Sequence, residues 1–221
     1  MKAIAIDLDD TLFSEIDHVY SGYRAVANVI AKHNDLDKEQ VYDRMLYRFA
    51  RNGRSGLFDY IKAHYKITTP DSESLVSIYR EHAPSIKLYD GVEKALDKLR
   101  ERFKLAIVTD GSVITQKNKV IALGLYKLVD EVVLCLEHNA PKPSIVSYQI
   151  AAQKLGVEVQ DMIIIGDDPY SDIAAASALG ISSYRVTTGK YKMVRSQENA
   201  MPSDTFDSFV SASYYILNMV K

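Results

Sequence analysis

Only one of the 221 residues is cysteine, Cys135. No internal disulfide framework or cysteine-only metal site can form, and a reducing compartment suits such a chain. No apolar stretch approaches the roughly 20 residues that cross a bilayer. The apolar run at the start, Ala3 to Ile6, is closed by Asp7 and is too short for a signal-peptide core. An excess of one charge is also missing: 27 Lys and Arg face 29 Asp and Glu, a net charge of −2. No general basic field exists to hold nucleic acid. Internal repeats, low-complexity tracts and Gly/Ser linkers are absent, as are the Gly-x-Ser-x-Gly elbow, the phosphate-binding lysine loop and the dinucleotide glycine pattern. The histidines His18, His33, His64, His82 and His138 show no metal-ligand spacing. The expectation is a soluble, cytoplasmic protein without nucleic-acid or membrane partners, as a monomer or homodimer.

What is present is an alternation. Short apolar runs recur at Ala3 to Ile6, Leu105 to Val108, Val132 to Leu136, Met162 to Ile165 and Ser183 to Val186. Continuous rather than alternating hydrophobicity predicts strands covered on both faces. Between them lie helical patterns such as Val92, Ala95, Leu96 and Leu99, with Asp90 as the expected N-cap. Strands alternating with helices predict an α/β fold, a doubly wound parallel sheet. From Ser14 to Lys87 the alternation breaks and only helices can be written. One carries Val19, Tyr23, Val26, Ala27 and Ile30 on one face. A second opens at Asp37, with Gln40 in capping-box register, and stops near Gly53; a third follows Ser55; a fourth begins at Pro70. The expected division is a discontinuous core, residues 1–13 and 88–221, with a small helical insert at 14–87. An insert placed just past a strand's C-terminal end sits where ligands bind in such sheets, so it is a candidate lid. The segment Phe209 to Met219 reads as a final covering helix.

The chemistry gathers at strand exits. Asp7-Leu8-Asp9-Asp10-Thr11 places three carboxylates in four residues after the first strand. Like charges this close repel and desolvation adds to the cost, so a cation is the natural compensation. Asp167, Asp168 and Asp172 follow another apolar run, and parallel strands bring both acidic clusters to one edge of the sheet. Oxygen-only ligands favour a hard ion, Mg²⁺ first. Thr109-Asp110-Gly111-Ser112 offers a hydroxyl and small-residue amides for an anion, and Pro141-Lys142-Pro143 holds one ammonium between prolines. Carboxylates, a metal, a hydroxyl, backbone donors and a fixed lysine are the parts of a phosphoryl-transfer site.

Asp7-x-Asp9-x-Thr11, Thr109, Lys142-Pro143 and Gly166-Asp167-x-x-x-x-Asp172 occur in that order. Together they resemble the four motifs of the haloacid dehalogenase-like hydrolase superfamily. The likeness covers residues 1–13 and 88–190 and includes Gln116, Lys119, Leu123-Gly124-Leu125, Leu155-Gly156-Val157 and Tyr148, where the family often has Phe. The resemblance implies a Rossmann-like core with an inserted helical cap and a Mg²⁺-dependent phosphatase acting on a small phosphate ester. It implies Asp7 as nucleophile and Asp9 as acid and base. Asp7, the Asp9 carbonyl and Asp167 would be metal ligands, with Asp172 behind or beside them. Thr109 and the amides of Asp110 and Gly111 would bind phosphate, and Lys142 would neutralise charge. An acid at position 9 favours phosphate chemistry over dehalogenation. Two departures stand out: Asn139 replaces a usual glycine, and Asp110 adds an acid near the anion site.

In the insert, Arg44, Arg48 and Arg51 form a stripe and Arg54 sits in the turn after it. Arg51 and Arg54 are candidate substrate contacts, and a solvated helix face is the competing reading. A sugar-phosphate mutase using the same intermediate and a catalytically silent binding protein on the same fold remain the alternatives. Sugar phosphates and nucleoside monophosphates are the substrate classes considered.

Overall fold

The computed structural model describes residues 1–219. Six parallel strands, β1 (Ala3–Ile6), β2 (Lys104–Thr109), β3 (Glu131–Leu134), β4 (Met162–Gly166), β5 (Ser183–Val186) and β6 (Asp204–Phe206), form one sheet in the order 3-2-1-4-5-6. The helices are α1 (Glu15–Asn34), α2 (Lys38–Asn52), α3 (Leu57–Tyr65), α4 (Ser72–Glu81), α5 (Val92–Arg100), α6 (Val113–Ala122), α7 (Val146–Leu155), α8 (Asp172–Leu179) and α9 (Phe209–Met219). The fold is α/β and doubly wound.

The continuous apolar runs are explained by two cores, one on each face of the sheet. Ile4, Ile6, Leu105, Ile107, Ile163 and Ile165 pack with α5, α6 and α9. The alternate residues Ala3, Ala5, Ala106, Val108, Met162 and Ile164 pack with α7 and α8. A strand buried on both faces has no polar side to show in its sequence.

The chain divides into two compact units, Met1–Glu15 with the chain from Ile86 onward, and Ile16–Ser85. The second is helical, with its own core of Val19, Tyr23, Val26, Ile30, Met45 and Ile61 among others. Asp37 caps α2, its carboxylate accepting the Gln40 amide at 2.9 Å, and Gly53 ends that helix with φ of 69°.

Three local expectations are corrected, and one strand was not anticipated. The N-cap of α5 is Gly91, with φ of 84°, rather than Asp90. The helix anticipated at Pro70 starts two residues later behind Asp71, whose carboxylate accepts the Ser74 amide at 2.7 Å. The third strand ends at Leu134, because Cys135–His138 coil into a 3₁₀ turn closed by Asn139 at φ of 51°. Finally, β6 is a short, largely exposed edge strand without any apolar run to announce it.

Candidate active site

Strand register sets the site. Ile6 lies level with Ile107 on one side and Ile165 on the other, so the exits of β1, β2 and β4 share one edge of the sheet, where the strand order reverses. Asp7 continues the ladder, its amide donating to the Ile165 carbonyl at 2.9 Å. Thr11 Oγ1 donates to Asp7 Oδ2 at 3.1 Å. Asp10 then turns the chain with φ of 59°, a conformation aspartate tolerates better than most residues. Its carboxylate accepts the amides of Glu15 at 2.9 Å and Lys190 at 3.2 Å, and its carbonyl accepts the Thr188 hydroxyl. The exits of β1 and β5 are thereby fastened together. Gly189 permits this approach: its φ is +66°, and a Cβ on it would run into the Asp10 carboxylate.

Lys142 is a buried cation of the site, its side chain 3% exposed. Its Nζ donates to Asp7 Oδ1 at 2.5 Å and to Asp172 Oδ1 at 2.8 Å. Burial pulls the ammonium towards neutrality, but the Asp172 and Asp7 carboxylates prevail and hold it well above the ordinary lysine value. Position comes from a second contact: the Lys142 amide donates to both carboxylate oxygens of Asp110, at 3.2 and 2.9 Å. Asp110 thus anchors the lysine loop. Asp172 is fully buried, with Tyr148 Oη also donating to Oδ1 at 3.0 Å and the Asp168 amide to Oδ2 at 3.3 Å. β4 ends on Gly166 because a Cβ there would strike that carboxylate.

Asp167 completes an acidic cluster. Oxygens of Asp7, Asp167 and Asp172 lie within 4.8 Å of one another. Burial pushes the Asp7 carboxyl up to about 7, with Lys142 opposing and Asp172 reinforcing the shift. Burial and then the charges of Asp7 and Asp172 push Asp167 up to about 9. Asp167 Oδ2 is buried without a hydrogen-bond partner, a state that native interiors rarely leave uncompensated. An orphaned carboxylate oxygen among buried acids is what a divalent cation would relieve, and an all-oxygen donor set suits a hard one. Since Asp172 is occupied by three donors, Asp7 and Asp167 offer the freer oxygens.

Thr109 ends β2 and is 1% exposed. Its Oγ1 accepts Gln116 Nε2 at 2.5 Å, and the same nitrogen donates to Asp9 Oδ2 at 2.8 Å. Lys119 Nζ donates to Asp9 Oδ1 at 2.6 Å. A cavity of about 320 Å³ is lined by Asp7, Asp9, Gly111, Lys142, Asp167 and Lys190 among others, small enough for a compact ligand. Asp110 and Asp172 also line it. The sequence reading did not single out Lys190, Glu15 or the stapling role of Asp10. Asp10 was visible as an acid, but its Lys190 partner lies 180 residues away.

The candidates in the insert belong to the helical unit. Arg51 is exposed and donates to the Tyr47 hydroxyl at 3.2 Å, its guanidinium 5.5 Å from that ring. Arg54 lines a cavity of about 280 Å³ with Tyr23, Tyr79 and Arg80. Among the described residues no helix is long and apolar enough to cross a membrane.

The chain also resembles known proteins. The model of the haloacid dehalogenase-like hydrolase family matches residues 1–180. The chain is similar to the glyceraldehyde 3-phosphate phosphatase of Methanocaldococcus jannaschii, 26% identical over 205 residues that cover 90% of each protein. It is also similar to the phosphoglycolate phosphatase of Neisseria meningitidis, 28% identical over 219 residues, covering 92% of this chain and 88% of that one. Among solved structures, the HAD phosphatase from Thermococcus onnurineus superposes with a TM-score of 0.64 at 21% identity, covering 98% of each chain.

Proposed function

Because the chain belongs to the haloacid dehalogenase-like hydrolase family, we propose that this phosphatase hydrolyses a small phosphorylated metabolite through an aspartyl-phosphate on Asp7. Sugar phosphates, nucleoside monophosphates and short-chain phosphates like those named for its relatives form the substrate class. The observation that carries this reading is the buried Asp7–Asp167–Asp172 cluster with its orphaned oxygen, set beside Lys142 at one edge of the sheet.

In the first step the unprotonated Asp7 oxygen attacks phosphorus, the ester P–O bond breaks, and Asp9 delivers a proton to the departing oxygen. In the second, Asp9 takes a proton from water, whose oxygen attacks phosphorus and releases inorganic phosphate and Asp7. Lys142 balances negative charge on Asp7, while Thr109 and the amides of Asp110 and Gly111 bind the phosphoryl oxygens. Mg²⁺ would be held by Asp7, Asp167 and the Asp9 carbonyl, with Asp172 alongside; when bound, it supplies positive charge to the transferring group. The helical insert acts as the cap in this reading, with Arg51 and Arg54 as its candidate substrate contacts.

The test is phosphate release across a panel of glyceraldehyde 3-phosphate, phosphoglycolate, hexose phosphates and nucleoside monophosphates, in Mg²⁺ and in EDTA. Turnover should require Mg²⁺ and vanish in Asp7→Asn. Full activity of that variant would refute the nucleophile, and an isomerised hexose phosphate in place of inorganic phosphate would make the protein a mutase.

A further inference from the structure

Two polar side chains lie on the buried face of α6. Lys119 has a side chain only 5% exposed, and Gln116 is 1% exposed. Neither lines the cavity that Asp9 lines. They stand three residues apart, so the helix presents them on one face, and both reach the same carboxylate. Lys119 Nζ donates to Asp9 Oδ1 at 2.6 Å and Gln116 Nε2 to Asp9 Oδ2 at 2.8 Å. Each oxygen of Asp9 therefore has its own donor, which fixes the plane of the carboxylate as well as its position. A buried ammonium is costly without a partner, and Asp9 supplies that partner 110 residues away in sequence.

Gln116 has a second contact whose direction is dictated by chemistry. The Gln116 group facing Asp9 is its NH₂, which can only donate. That NH₂ also lies 2.5 Å from Thr109 Oγ1, and since an amide nitrogen does not accept, the hydroxyl oxygen accepts there. The Thr109 proton is left free to be donated elsewhere. Gly111 makes room for the arrangement: a Cβ on it would approach the Gln116 amide to 3.1 Å.

We propose that Gln116 and Lys119 are positioning residues: together they clamp Asp9 in the orientation from which it protonates the leaving oxygen. The proposal rests on the phosphatase reading above, in which Asp9 is the general acid. A well-placed acid contributes about 10²–10⁴-fold when the leaving group needs a proton, and little when it leaves as a stable anion. A clamp on the acid should therefore be felt only with poor leaving groups.

The experiment compares kcat/KM, which reports steps through formation of the aspartyl-phosphate. The two substrates are p-nitrophenyl phosphate, whose anion leaves unaided, and the best alkyl phosphate of the panel above. Lys119→Met and Gln116→Leu should each lose about 10- to 100-fold on the alkyl phosphate and less than about 3-fold on the aryl phosphate. Asp9→Asn, run beside them, should show the same split and a larger one. Equal losses on both substrates in the two clamp variants, or no loss, would overturn the clamp while a split in Asp9→Asn left the phosphatase reading intact. A flat Asp9→Asn profile would remove the acid role and the clamp with it. Using two variants guards against misfolding, since Gln116→Leu leaves the Lys119–Asp9 ion pair in place.

Discussion

Replacing Tyr148 with Phe tests whether the buried acid behind Lys142 depends on its neutral donor. Tyr148 is 1% exposed and its Oη donates to Asp172 Oδ1 at 3.0 Å. The ring belongs to the core beneath the sheet, so Tyr148→Phe keeps the packing and removes one hydroxyl. No donor is stranded, because it leaves with the substitution. Asp172 keeps Lys142 on the same oxygen and the Asp168 amide on the other. A hydrogen bond to a charged group is worth about 1.5–3 kcal/mol, and with the acceptor still served the lower end, about 1.5 kcal/mol, is expected. At roughly 2–4 °C per kcal/mol for a chain of this size, the melting temperature should fall by about 3–6 °C. Calorimetry in EDTA measures it, with Tyr126→Phe as control. Tyr126 is 54% exposed, and its substitution should stay within about 0.5 kcal/mol of the parent. A Tyr148→Phe protein as stable as the parent, or more so, would mean that burying the phenol costs as much as its bond returns, and would refute the reasoning.

Further outcomes concern the acids and the thiol. Asp7, raised to about 7, and Asp167, raised to about 9, both bind protons more tightly folded than unfolded. Their contribution to metal-free stability is thus full below the ordinary carboxylate pKa of about 4 and is lost as pH rises through about 7 and 9. In EDTA, melting curves of Asp167→Asn should show a shallower decline between about pH 6 and 9 than the parent; identical slopes would count against the buried cluster. Adding Mg²⁺ at about 100 times its Kd should stabilise the parent by about 2.7 kcal/mol, and Asp167→Asn should lose most of that gain. Cys135 is fully buried, and burial pushes its thiol up to about 12. Iodoacetamide at about pH 8 should leave it unlabelled until the chain is unfolded in urea. Rapid labelling of the folded protein would contradict its placement.

Sequence alone determined most of the elements and the identity of the acids. A run such as Met162 to Ile165, set between helical patterns, reads as a strand buried on both faces, and Asp37 with Gln40 marks a helix start through contacts within a few residues. Asp7, Asp9 and Asp167 stand out because charge directly after such a run is costly wherever the chain goes. Local patterns failed where a competing local solution existed, as when Gly91 took the cap from Asp90, or where no pattern was present, as in the polar edge strand β6. Only the tertiary structure decided which polar groups meet: Asp110 with the Lys142 amide, Asp10 with the Lys190 amide, Tyr148 with Asp172, and Gln116 and Lys119 with Asp9. Hydrophobic periodicity tells which face of an element turns inward. The partner a buried donor finds there depends on strand order and register, which bring together residues far apart along the chain.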